Sequence, residues 1–453
     1  MTSDCHILFA GRSVFHFPYY ESVCEALITE GAYVTFVFDA ESSKGQSDTA
    51  LKLFVSRHSD NCEVLFAPST TGISSAILRT TRELRAYCHY LRRASGSSFY
   101  LNRQSRYLPS WIRWIARIRL LRFIFASDFL STLLAFFERR IPANHATLSE
   151  VKRLNPKAIF AAPINMRFSR EVEFIKAGNQ LSVPTFGLVQ TWDNLTTKGI
   201  FHVRPNHLYC WNDQHRAEAI AIHGFSPEST SIVGAPFYDK WFINNNAPPD
   251  RATTLSKLGL HSDERYIVYL GSSANIARDE SWLVHRLLGA IQQSGLTGIR
   301  LVVRPHPVNK KWIEEFRLND MVIIDSSSSL PEDVESIRQL AGVIVHSQFA
   351  VGVNTSAMID AVILGKVCVA LISSRYSKTQ VEALHFAMLR ATGALLECSA
   401  DKVSDIVRLI ENDPRPSSTT LVSQVLPLVR SQVSTDLAGQ LITKHLLSTL
   451  SPN

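Results

Sequence analysis

Short apolar runs alternate with amphipathic stretches along this chain of 453 residues. In the first half the apolar runs are rich in β-branched and aromatic residues, which is typical of strands buried on both faces of a parallel sheet. These runs lie at residues 6–10, 33–38, 64–67, 158–161, 185–189 and 207–210. Segments 22–30 and 169–178 have helical spacing, and Gly31 is expected to end the first of them. The pattern predicts a repeated β-α-β order.

A second alternation begins after a break in composition. Residues 244–250 are rich in Asn and Pro and end in Asp, which is typical of a linker. Beyond it, strands are predicted at 266–270, 300–303, 321–324, 342–346 and 367–371. Helices are predicted at 280–293, 331–340 and 357–364, and a last helical stretch at 437–450.

The two alternations predict an α/β protein with two Rossmann-like, doubly wound parallel-sheet domains. We expect an N-terminal domain at 1–243, a linker at 244–256, a C-terminal domain at 257–430 and a terminal helix at 431–453. Ligands of such domains bind at the carboxyl ends of the strands, so a cleft between the two sheets is the expected site.

Segment 82–142 does not follow the alternation and predicts a helical insert in the first domain. Eleven arginines and a single acid, Glu83, lie between Arg79 and Arg122, whereas the whole chain has a net charge of +7. Residues 111–122 mix Trp, Ile and Arg at amphipathic spacing, which favours contact with an anionic membrane surface. The alternative is a helical hairpin that covers the first domain, with solvated arginines. No nucleic-acid-binding motif accompanies the charge, so nucleic acid is not the predicted partner.

Cysteines and apolar segments favour a cytoplasmic location. The seven cysteines are odd in number, widely spaced and without a CxxC pair, which argues against a disulfide framework and a zinc ribbon. The first residues lack the pattern of a signal peptide, and the longest apolar stretch, 123–137, is shorter than the ~20 residues of a membrane span. We therefore expect a cytoplasmic protein, peripheral to the inner face of the membrane if the basic helix binds lipid.

Segment 352–360, Gly-Val-Asn-Thr-Ser-Ala-Met-Ile-Asp, follows a predicted strand and enters a predicted helix. Free backbone N–H groups at such a helix start suit a phosphate, and Asn354, Thr355 and Ser356 lie there. Asp360, one turn further, is placed to accept from ribose hydroxyls. The alternative is that Thr355 or Ser356 only caps the helix.

Two further strand ends carry candidate phosphate ligands. Arg304 and His306 follow the strand 300–303 within an Arg-Pro-His-Pro sequence, and both side chains can contact phosphate. Ser272 and Ser273 follow the strand 266–270 directly after Gly271. Ordinary structural turns are the alternative at both places.

The segment 190–199, Gln-Thr-Trp-Asp-Asn-Leu-Thr-Thr-Lys-Gly, follows the strand 185–189 of the first domain. Asp193 is a candidate general base and Lys198 a candidate anion contact, with Trp192 and Asn194 beside them on the acceptor side. Asp-Asn is also an ordinary turn pair, so a structural turn is the alternative. The spacing of His and Asp residues indicates no metal site.

Four elements stand in fixed order: 190–199, the Arg-Pro-His-Pro at 304–307, the Asn-Thr-Ser-Ala at 354–357, and Gln380 with His385-Phe386. Together they resemble a bacterial family of glycosyltransferase-like proteins with the GT-B fold, and the likeness covers most of the chain. The layout is more remotely similar to CDP-glycerol glycerophosphotransferases, capsule sialyl- and Kdo-transferases and non-hydrolysing UDP-GlcNAc 2-epimerases.

The resemblance implies roles for particular residues. His306 would contact the nucleotide phosphate, Gln380 would bind donor-sugar hydroxyls, and His16 would lie where acceptor-side catalytic histidines occur in this fold. A solvated loop glutamine and a structural histidine are the alternatives. Where the glycerophosphotransferases carry a catalytic His, this chain has Asp193, which puts the glycerol-phosphate reaction in doubt.

The sequence thus predicts a metal-independent glycosyltransferase without a cofactor. It would move a sugar from a nucleotide-sugar donor in the second domain to a glycan or lipid-linked acceptor in the first. The catalytic candidates are Asp193, His16 and His306, and Asp193 as base favours inversion. The alternatives are a nucleotide-sugar 2-epimerase, a CDP-glycerol-type phosphotransferase, and a non-catalytic protein that binds sugar nucleotides.

Overall fold

The computed structural model describes residues 5–67, 73–93, 98–325, 332–414 and 416–451. The chain forms two compact units. Unit 1 contains the residues up to Asp239 and those from Arg430 onward, and unit 2 is Lys240–Val429. Each unit is built around its own parallel sheet.

Unit 1 contains seven strands and most of the helices in the order that the alternation predicts. Its elements are β1 (His6–Gly11), α1 (Glu21–Thr29), β2 (Tyr33–Asp39), α2 (Ala40–Ser43), α3 (Thr49–Arg57), β3 (Cys62–Ala67), α4 (Ile73–Arg92), α5 (Ser98–Ser105), α6 (Ser110–Arg117), α7 (Arg119–Ala126), α8 (Asp128–Arg140), α9 (His145–Leu154), β4 (Ala158–Ala162), α10 (Glu171–Leu181), β5 (Thr185–Leu188), β6 (His207–Cys210), α11 (Asp213–His223) and β7 (Thr230–Ile232).

The sheet of unit 1 has the strand order β3-β2-β1-β4-β5-β6-β7, and all its neighbouring strands are parallel. Aromatic side chains fill the space between the central strands and the helices. The rings of Phe9 and Phe160 stack with centroids 4.8 Å apart, and both side chains are fully buried. The short predicted strands are therefore stabilised by burial on both faces, which is typical of parallel strands.

The predicted helical insert is confirmed, and it consists of α4 to α8 between β3 and β4. Tyr87 and Leu91 of α4, Ile112 of α6 and Leu108, which lies just before α6, form a small core of their own. Trp111 and Trp114, on the outer face of α6, are 64% and 66% exposed. The spacing predicted one amphipathic helix here, and the structure divides the stretch between α6 and α7.

Unit 2 follows with its own elements. They are α12 (Arg251–Leu258), β8 (Arg265–Leu270), α13 (Ser281–Gln293), β9 (Ile299–Arg304), β10 (Val322–Ile324), α14 (Val334–Val345), β11 (Ala350–Gly352), α15 (Ala357–Ile363), β12 (Cys368–Ile372), α16 (Leu384–Ala391), β13 (Leu395–Ser399), α17 (Val403–Asn412) and α18 (Ser418–Val429). The sheet order is β10-β9-β8-β11-β12-β13, again parallel throughout. The helix α12 begins inside the segment that composition assigned to the linker.

The chain returns to unit 1 through α19 (Ala438–Leu450), which packs on α1. The carboxylate of Asp239 holds this helix start, because it accepts from N of Ala438 over 3.0 Å and from N of Gly439 over 2.9 Å. A Cβ atom on Gly439 would lie 2.4 Å from the carbonyl oxygen of Ser22. Only glycine therefore allows the helix to approach α1 this closely.

The prediction of a strand at 342–346 is wrong. These residues belong to the end of α14, and the strand is β11, which begins at Ala350. The run from Gly342 to Val345 is apolar and β-branched because it packs inward from a helix. Its periodicity cannot be distinguished from that of a buried strand over so few residues. The strands β7 and β13 were missed, since each has partly exposed positions that break the apolar run.

All seven cysteines are free thiols, and six of them are buried. Among the described residues, no helix combines the length and the apolar character that crossing a bilayer demands.

Candidate functional site

Three adjacent strands of unit 2 carry most of the predicted nucleotide-binding residues. The strands β9, β8 and β11 lie side by side, and Leu270 pairs with Arg304 on one side and with Gly352 on the other. The chain leaves all three strands at the same level, because the strands are parallel and in register. The structure therefore brings residues 272–273, 304–306 and 354–356 to one edge of the sheet.

Gly271 allows the loops after β8 and β9 to approach each other. A Cβ atom on Gly271 would lie 3.0 Å from N of His306 and 3.1 Å from Cα of Pro305. Any larger residue at position 271 would push the His306 loop away from the β8 loop. The close approach thus fixes the position of His306 relative to the Gly-Ser-Ser turn.

Ser272 connects the loops instead of facing solvent. Its side chain is fully buried, and its Oγ accepts from the backbone N–H of Asn354 over 3.3 Å. Its carbonyl oxygen accepts from Nδ2 of Asn309 over 2.9 Å. Ser273, the next residue, is partly exposed and is the hydroxyl that this turn can offer to a ligand.

A buried carboxylate beneath this turn was missed from the sequence. Glu280 is fully buried, accepts from N of Ser272 over 2.8 Å and accepts from the hydroxyl of Tyr269 over 3.0 Å. Burial raises the pKa of Glu280 to about 8. From the sequence, an acid just ahead of an apolar helix is expected to be a solvated residue of the first turn. No sequence signal distinguishes such an acid from a buried one.

Arg304 lies behind the edge and not at its surface. Its Nη1 is hydrogen-bonded to the carboxylate of Asp325, and the two residues are 8% and 2% exposed. A buried charge of this kind needs its partner, because the desolvation penalty is several kcal/mol. The predicted phosphate contact therefore has a guanidinium already engaged by a carboxylate.

His306, in contrast, reaches the surface of the edge. The residue is partly exposed, and its Nδ1 accepts from the backbone N–H of Val308 over 3.3 Å. In the neutral ring this arrangement assigns the proton to Nε2, which is then a hydrogen-bond donor. The imidazole is oriented by its own loop before any ligand arrives.

The loop after β11 also contains both buried and partly exposed side chains. Asn354 is buried, and its Nδ2 donates to the carbonyl oxygen of Thr379 over 2.6 Å and lies 3.2 Å from Nε2 of His385. Thr355 is 8% exposed, whereas Ser356 is partly exposed at the start of α15. Ser356 is thus the side chain of this loop that a ligand meets first.

Asp360 is buried one turn into α15. Its Oδ1 accepts from the indole N–H of Trp241 over 2.6 Å, and Nζ of Lys240 lies 4.0 Å away. Burial raises the pKa of Asp360, and the charges of Lys240 and Arg304 and the Trp241 hydrogen bond oppose that rise. The predicted ribose contact therefore has one carboxylate oxygen already bonded within unit 2.

Gln380, predicted to bind donor-sugar hydroxyls, is fully buried. Its Nε2 donates to the carbonyl oxygens of Val353 and Leu371, each over 2.8 Å. Its Oε1 accepts from N of Ser373 over 3.2 Å. Both amide hydrogens are used, so the side chain ties the loop after β12 to the loop after β11.

Of the nine residues predicted to bind the nucleotide, three have partly exposed side chains: Ser273, His306 and Ser356. We call these three residues the three-loop edge. They follow β8, β9 and β11 respectively, and the other six residues are buried.

In unit 1, the segment after β5 forms a turn that hydrogen-bonds largely to itself. Asp193 Oδ1 accepts from the hydroxyl of Thr191 over 2.8 Å, and Oδ2 accepts from the hydroxyl of Thr197 over 2.8 Å. Nζ of Lys198 lies 3.0 Å from the same Oδ2. The two predicted residues Asp193 and Lys198 are therefore an ion pair, with side chains 17% and 30% exposed.

Asn194 and Trp192, predicted on the acceptor side, are buried. Asn194 and Asn165 are joined by two hydrogen bonds. Nδ2 of Asn165 donates to the backbone carbonyl oxygen of Asn194 over 2.7 Å, and Nδ2 of Asn194 donates to Oδ1 of Asn165 over 3.2 Å. Asn165 lies after the adjacent strand β4 and was missed. The rule that singles out polar residues at strand ends would have found it.

His16 lies in a short 3-10 turn, Val14–Tyr19, directly after β1. Burial, together with the positive charges of Arg12 and Lys198, lowers the pKa of His16 to about 4. The ring is thus neutral at pH 7. Its Nδ1 is buried without a hydrogen-bond partner among the described residues, and the residue as a whole is partly exposed. The structure brings His16, Arg12 and Lys198 close enough for their charges to interact.

Comparison with known proteins bears on the fold. No protein-family model and no curated protein sequence match the chain. Solved structures match over nearly its whole length. A UDP complex of MnaA from S. aureus is 10% identical with a TM-score of 0.56, over 98% of this chain and 97% of that one. The UDP-GlcNAc 2-epimerase of Methanocaldococcus jannaschii, in complex with UDP-GlcNAc and UDP, is 11% identical with a TM-score of 0.53, over 98% and 99%.

A plant protein also matches over nearly the whole chain. UGT89C1 of Arabidopsis thaliana, complexed with UDP, is 13% identical with a TM-score of 0.52, over 99% of this chain and 100% of that one. At such identities the likeness establishes the fold alone. The predicted GT-B fold with two Rossmann-like domains is confirmed, and so is the resemblance to proteins of that fold, UDP-GlcNAc 2-epimerases among them.

Proposed function

We propose that this protein transfers a sugar from a nucleotide-sugar donor to a glycan or lipid-linked acceptor, without a metal ion. The observation that carries the proposal is the three-loop edge, where a histidine and two hydroxyls follow three adjacent parallel strands of unit 2. Ligands of open parallel sheets bind at this end of the strands. The structures of similar fold that contain UDP or UDP-sugars support the same class of ligand.

The three-loop edge suits the diphosphate of a nucleotide sugar. His306 offers an Nε2–H donor, and Ser273 and Ser356 offer hydroxyl donors. The hydrogen bond from Val308 orients His306, and the buried hydrogen bonds of Ser272 hold the neighbouring loops. Donors that are fixed before the reaction stabilise a leaving diphosphate without the cost of reorganisation. In this proposal Ser272, Arg304, Asn354, Thr355, Asp360 and Gln380 position the loops.

In unit 1, His16 is the stronger candidate for the base that deprotonates the acceptor hydroxyl. Its ring is neutral and offers Nε2, whereas three donors already hold the Asp193 carboxylate. Asp193 would then position Lys198, and Lys198 would attract an anionic group of the acceptor. Direct attack by an acceptor that is activated in this way predicts inversion at the anomeric carbon.

Epimerisation at C2 of a nucleotide sugar is the second candidate, because UDP-GlcNAc 2-epimerases are prominent among the solved structures of similar fold. An epimerase needs no acceptor. Incubating the protein with a nucleotide sugar alone and analysing the sugar therefore separates the two reactions, and an epimerised sugar would replace the transferase proposal.

Nucleotide binding is tested first, by thermal shift and calorimetry with UDP, GDP, CDP and CMP. We expect one of them to raise the Tm of the wild type. His306→Ala should weaken that nucleotide by about tenfold, the value of one good hydrogen bond to a phosphate. His285→Ala, an exposed histidine on α13 of the same unit, is the matched control. Failure of all four nucleotides to bind would favour a non-catalytic protein.

The catalytic step is tested with two variants of unit 1. His16→Gln should abolish turnover and keep nucleotide affinity, whereas Asp193→Asn should raise KM for the acceptor more than it lowers kcat. The reverse pattern, with Asp193→Asn inactive and His16→Gln active, would return the base role to Asp193.

A membrane surface is the partner that we propose for the helices α6 to α8. Large apolar side chains are exposed along all three, including Trp111, Trp114, Phe123, Phe129 and Phe137 at 52–77%. Exposed arginines lie among them, at positions 117, 122, 139 and 140. Arginine meets anionic headgroups and aromatic rings insert at the interface, so the face is complementary to an anionic bilayer.

Vesicle flotation tests this contact. We expect the wild type to float with phosphatidylglycerol vesicles and to remain free with phosphatidylcholine vesicles. The double change Trp111→Ser and Trp114→Ser should abolish flotation, whereas Leu318→Ser, which removes a 96% exposed leucine of unit 2, should not. Equal flotation of all three proteins would refute the contact.

A further inference from the structure

Unit 1 contains a cavity of about 580 Å³ that none of the proposed sites uses. It lies among α4, α8, α10, the segment 201–204 and the end of α11. Its volume is within the range of small-molecule sites in proteins, ~300–1,000 Å³. The cavity is thus large enough for an organic ligand.

The lining of the cavity has one sign of charge. Arg85, Arg139, Lys176 and Arg204 line it, with His202 and His223 beside them. No Asp or Glu occurs among the described residues that form the wall. A space with four cationic groups around it concentrates a positive potential and attracts anions.

Three of these cations have no carboxylate partner among the described residues. Nη1 of Arg85 donates to the carbonyl oxygen of His202 over 3.1 Å, and Nη1 of Arg204 donates to the carbonyl oxygens of His223 and Gly224. Arg139 makes neither a hydrogen bond nor an ion pair within the part of the chain that the structure describes. Three guanidinium groups around one space are therefore without a carboxylate bonded to them among the described residues.

The charges just beneath the cavity are arranged differently. Arg82 donates to Glu138, over 3.1 Å from Nε and 2.7 Å from Nη2, and also to Glu173. Lys176 donates to Glu138 over 3.2 Å. Two cations and two carboxylates balance there, so the fold neutralises the charges that it buries. The excess of Arg85, Arg139 and Arg204 is not needed for that network.

Polar atoms at the wall also lack partners. Nε of Arg85, Nδ1 of His202 and Nδ1 of His223 are buried with no hydrogen bond to any described residue. His202 itself is 7% exposed. Because these atoms are buried, a ligand in the cavity would contact the other nitrogen atoms of these residues.

We propose that this cavity binds a phosphate-bearing anion, with the guanidinium groups of Arg85, Arg139 and Arg204 as its ligands. Guanidinium groups match phosphate oxygens in geometry as well as in charge. The segment 201–204 of the wall directly follows the turn 190–199 that carries Asp193 and Lys198. An occupant of the cavity would therefore hold the backbone on which that turn depends.

Calorimetry of the full chain with inorganic pyrophosphate tests the proposal. We expect binding by the wild type at low salt, about tenfold weaker binding by Arg139→Gln, and a larger loss in Arg139→Glu. Arg139 is exposed and unpaired within the described residues, so its replacement should leave the Tm unchanged. Arg140→Gln removes the same charge from the next position of α8, outside the wall, and should bind as the wild type does.

The remaining outcomes decide the site and the source of the phosphate. Because the three-loop edge is also proposed to bind a diphosphate, the same titrations are repeated with His306→Ala added. Absence of binding in the His306→Ala protein, or an affinity there that neither Arg139→Gln nor Arg204→Gln changes, would each overturn the proposal. If phosphatidylglycerol vesicles compete with pyrophosphate for the wild type, a lipid headgroup is the source. If they do not compete, the ligand is a soluble phosphate compound.

Discussion

The loops that follow the strands are held by different patterns of hydrogen bonds in the two units. In unit 2 the polar side chains bond from loop to loop: Ser272 with Asn354, Asn309 with Ser272, and Gln380 with the backbone at Val353. In unit 1 the Asp193 carboxylate accepts within its own turn, from Thr191 and Thr197, and the neighbouring residues Asn165, His215 and His223 bond to backbone carbonyl oxygens of that turn. The polar side chains at the edge of unit 2 therefore form a cross-linked platform, whereas the candidate carboxylate of unit 1 is held by its own turn.

This difference bears on what each edge can do. A platform whose loops hold one another keeps Ser273, His306 and Ser356 in place before a ligand binds, which is the condition for electrostatic stabilisation of a leaving group. The Asp193 carboxylate, which one ion pair and two hydroxyls hold, can change partners when the charge balance of its turn changes. We expect the stability of unit 2 to depend on its cross-links more strongly than that of unit 1 depends on the hydrogen bonds of this carboxylate.

The largest expected effect comes from breaking the buried ion pair behind the platform. Asp325→Ala leaves the guanidinium of Arg304 buried without its carboxylate, and should reduce the free energy of unfolding by about 3–5 kcal/mol. Urea unfolding followed by circular dichroism measures the loss. Asp320→Ala, an exposed acid close by, is the control and should change it by less than about 0.5 kcal/mol. Equal values would mean that Arg304 finds another partner.

The buried Glu280 makes the platform sensitive to pH. Its pKa in the folded protein, about 8, is above its ordinary value of 4.5, so the folded state holds a proton that the unfolded state has released. The contribution of Glu280 to the free energy of unfolding is therefore fully present below pH 4.5 and is lost as the pH rises towards 8. Between pH 5.5 and 7.5 the loss should be about 2 kcal/mol.

The variant Glu280→Gln isolates this contribution. Glutamine cannot ionise, and it can still accept from N of Ser272 and donate to the hydroxyl of Tyr269. The difference in unfolding free energy between wild type and variant should change by about 2 kcal/mol between pH 5.5 and 7.5. Glu382→Gln, at an exposed position, should show no such change. A pH-independent difference would mean that Glu280 stays ionised.

Sequence reasoning located the candidate residues at the strand ends for a physical reason. Polar residues that directly follow buried parallel strands must lie at one edge of the sheet, so residues 272–273, 304–306, 354–356 and 190–199 could be located without coordinates. The β-α-β order and the helical insert were predictable from apolar spacing in the same way. The strand at 342–346 failed because β-branched residues also line the buried face of α14.

Burial could not be predicted from the same signals. Arg304, Asp360 and Gln380 have the chemistry of ligands, yet their partners Asp325, Trp241 and the Val353 carbonyl are distant in sequence or carry no pattern. Glu280 was missed for the same reason. A polar residue at a strand end has two uses, contact with a ligand and support of a loop, and only three-dimensional neighbours decide between them.

The smallest expected effect concerns the turn of unit 1, where a matched pair of threonines separates its internal hydrogen bonds from its packing. Thr197→Val removes the hydroxyl that donates to Oδ2 of Asp193 over 2.8 Å and should cost about 1 kcal/mol of unfolding free energy. Thr196→Val, in the same turn, removes a hydroxyl that lies 3.5 Å from the Asp193 carbonyl oxygen and should cost less than about 0.5 kcal/mol. Thermal unfolding of both variants measures the costs. Because Lys198 and Thr191 still hold the carboxylate in Thr197→Val, the loss must stay well below that of Asp325→Ala; a loss as large would mean that the two edges are equally cross-linked.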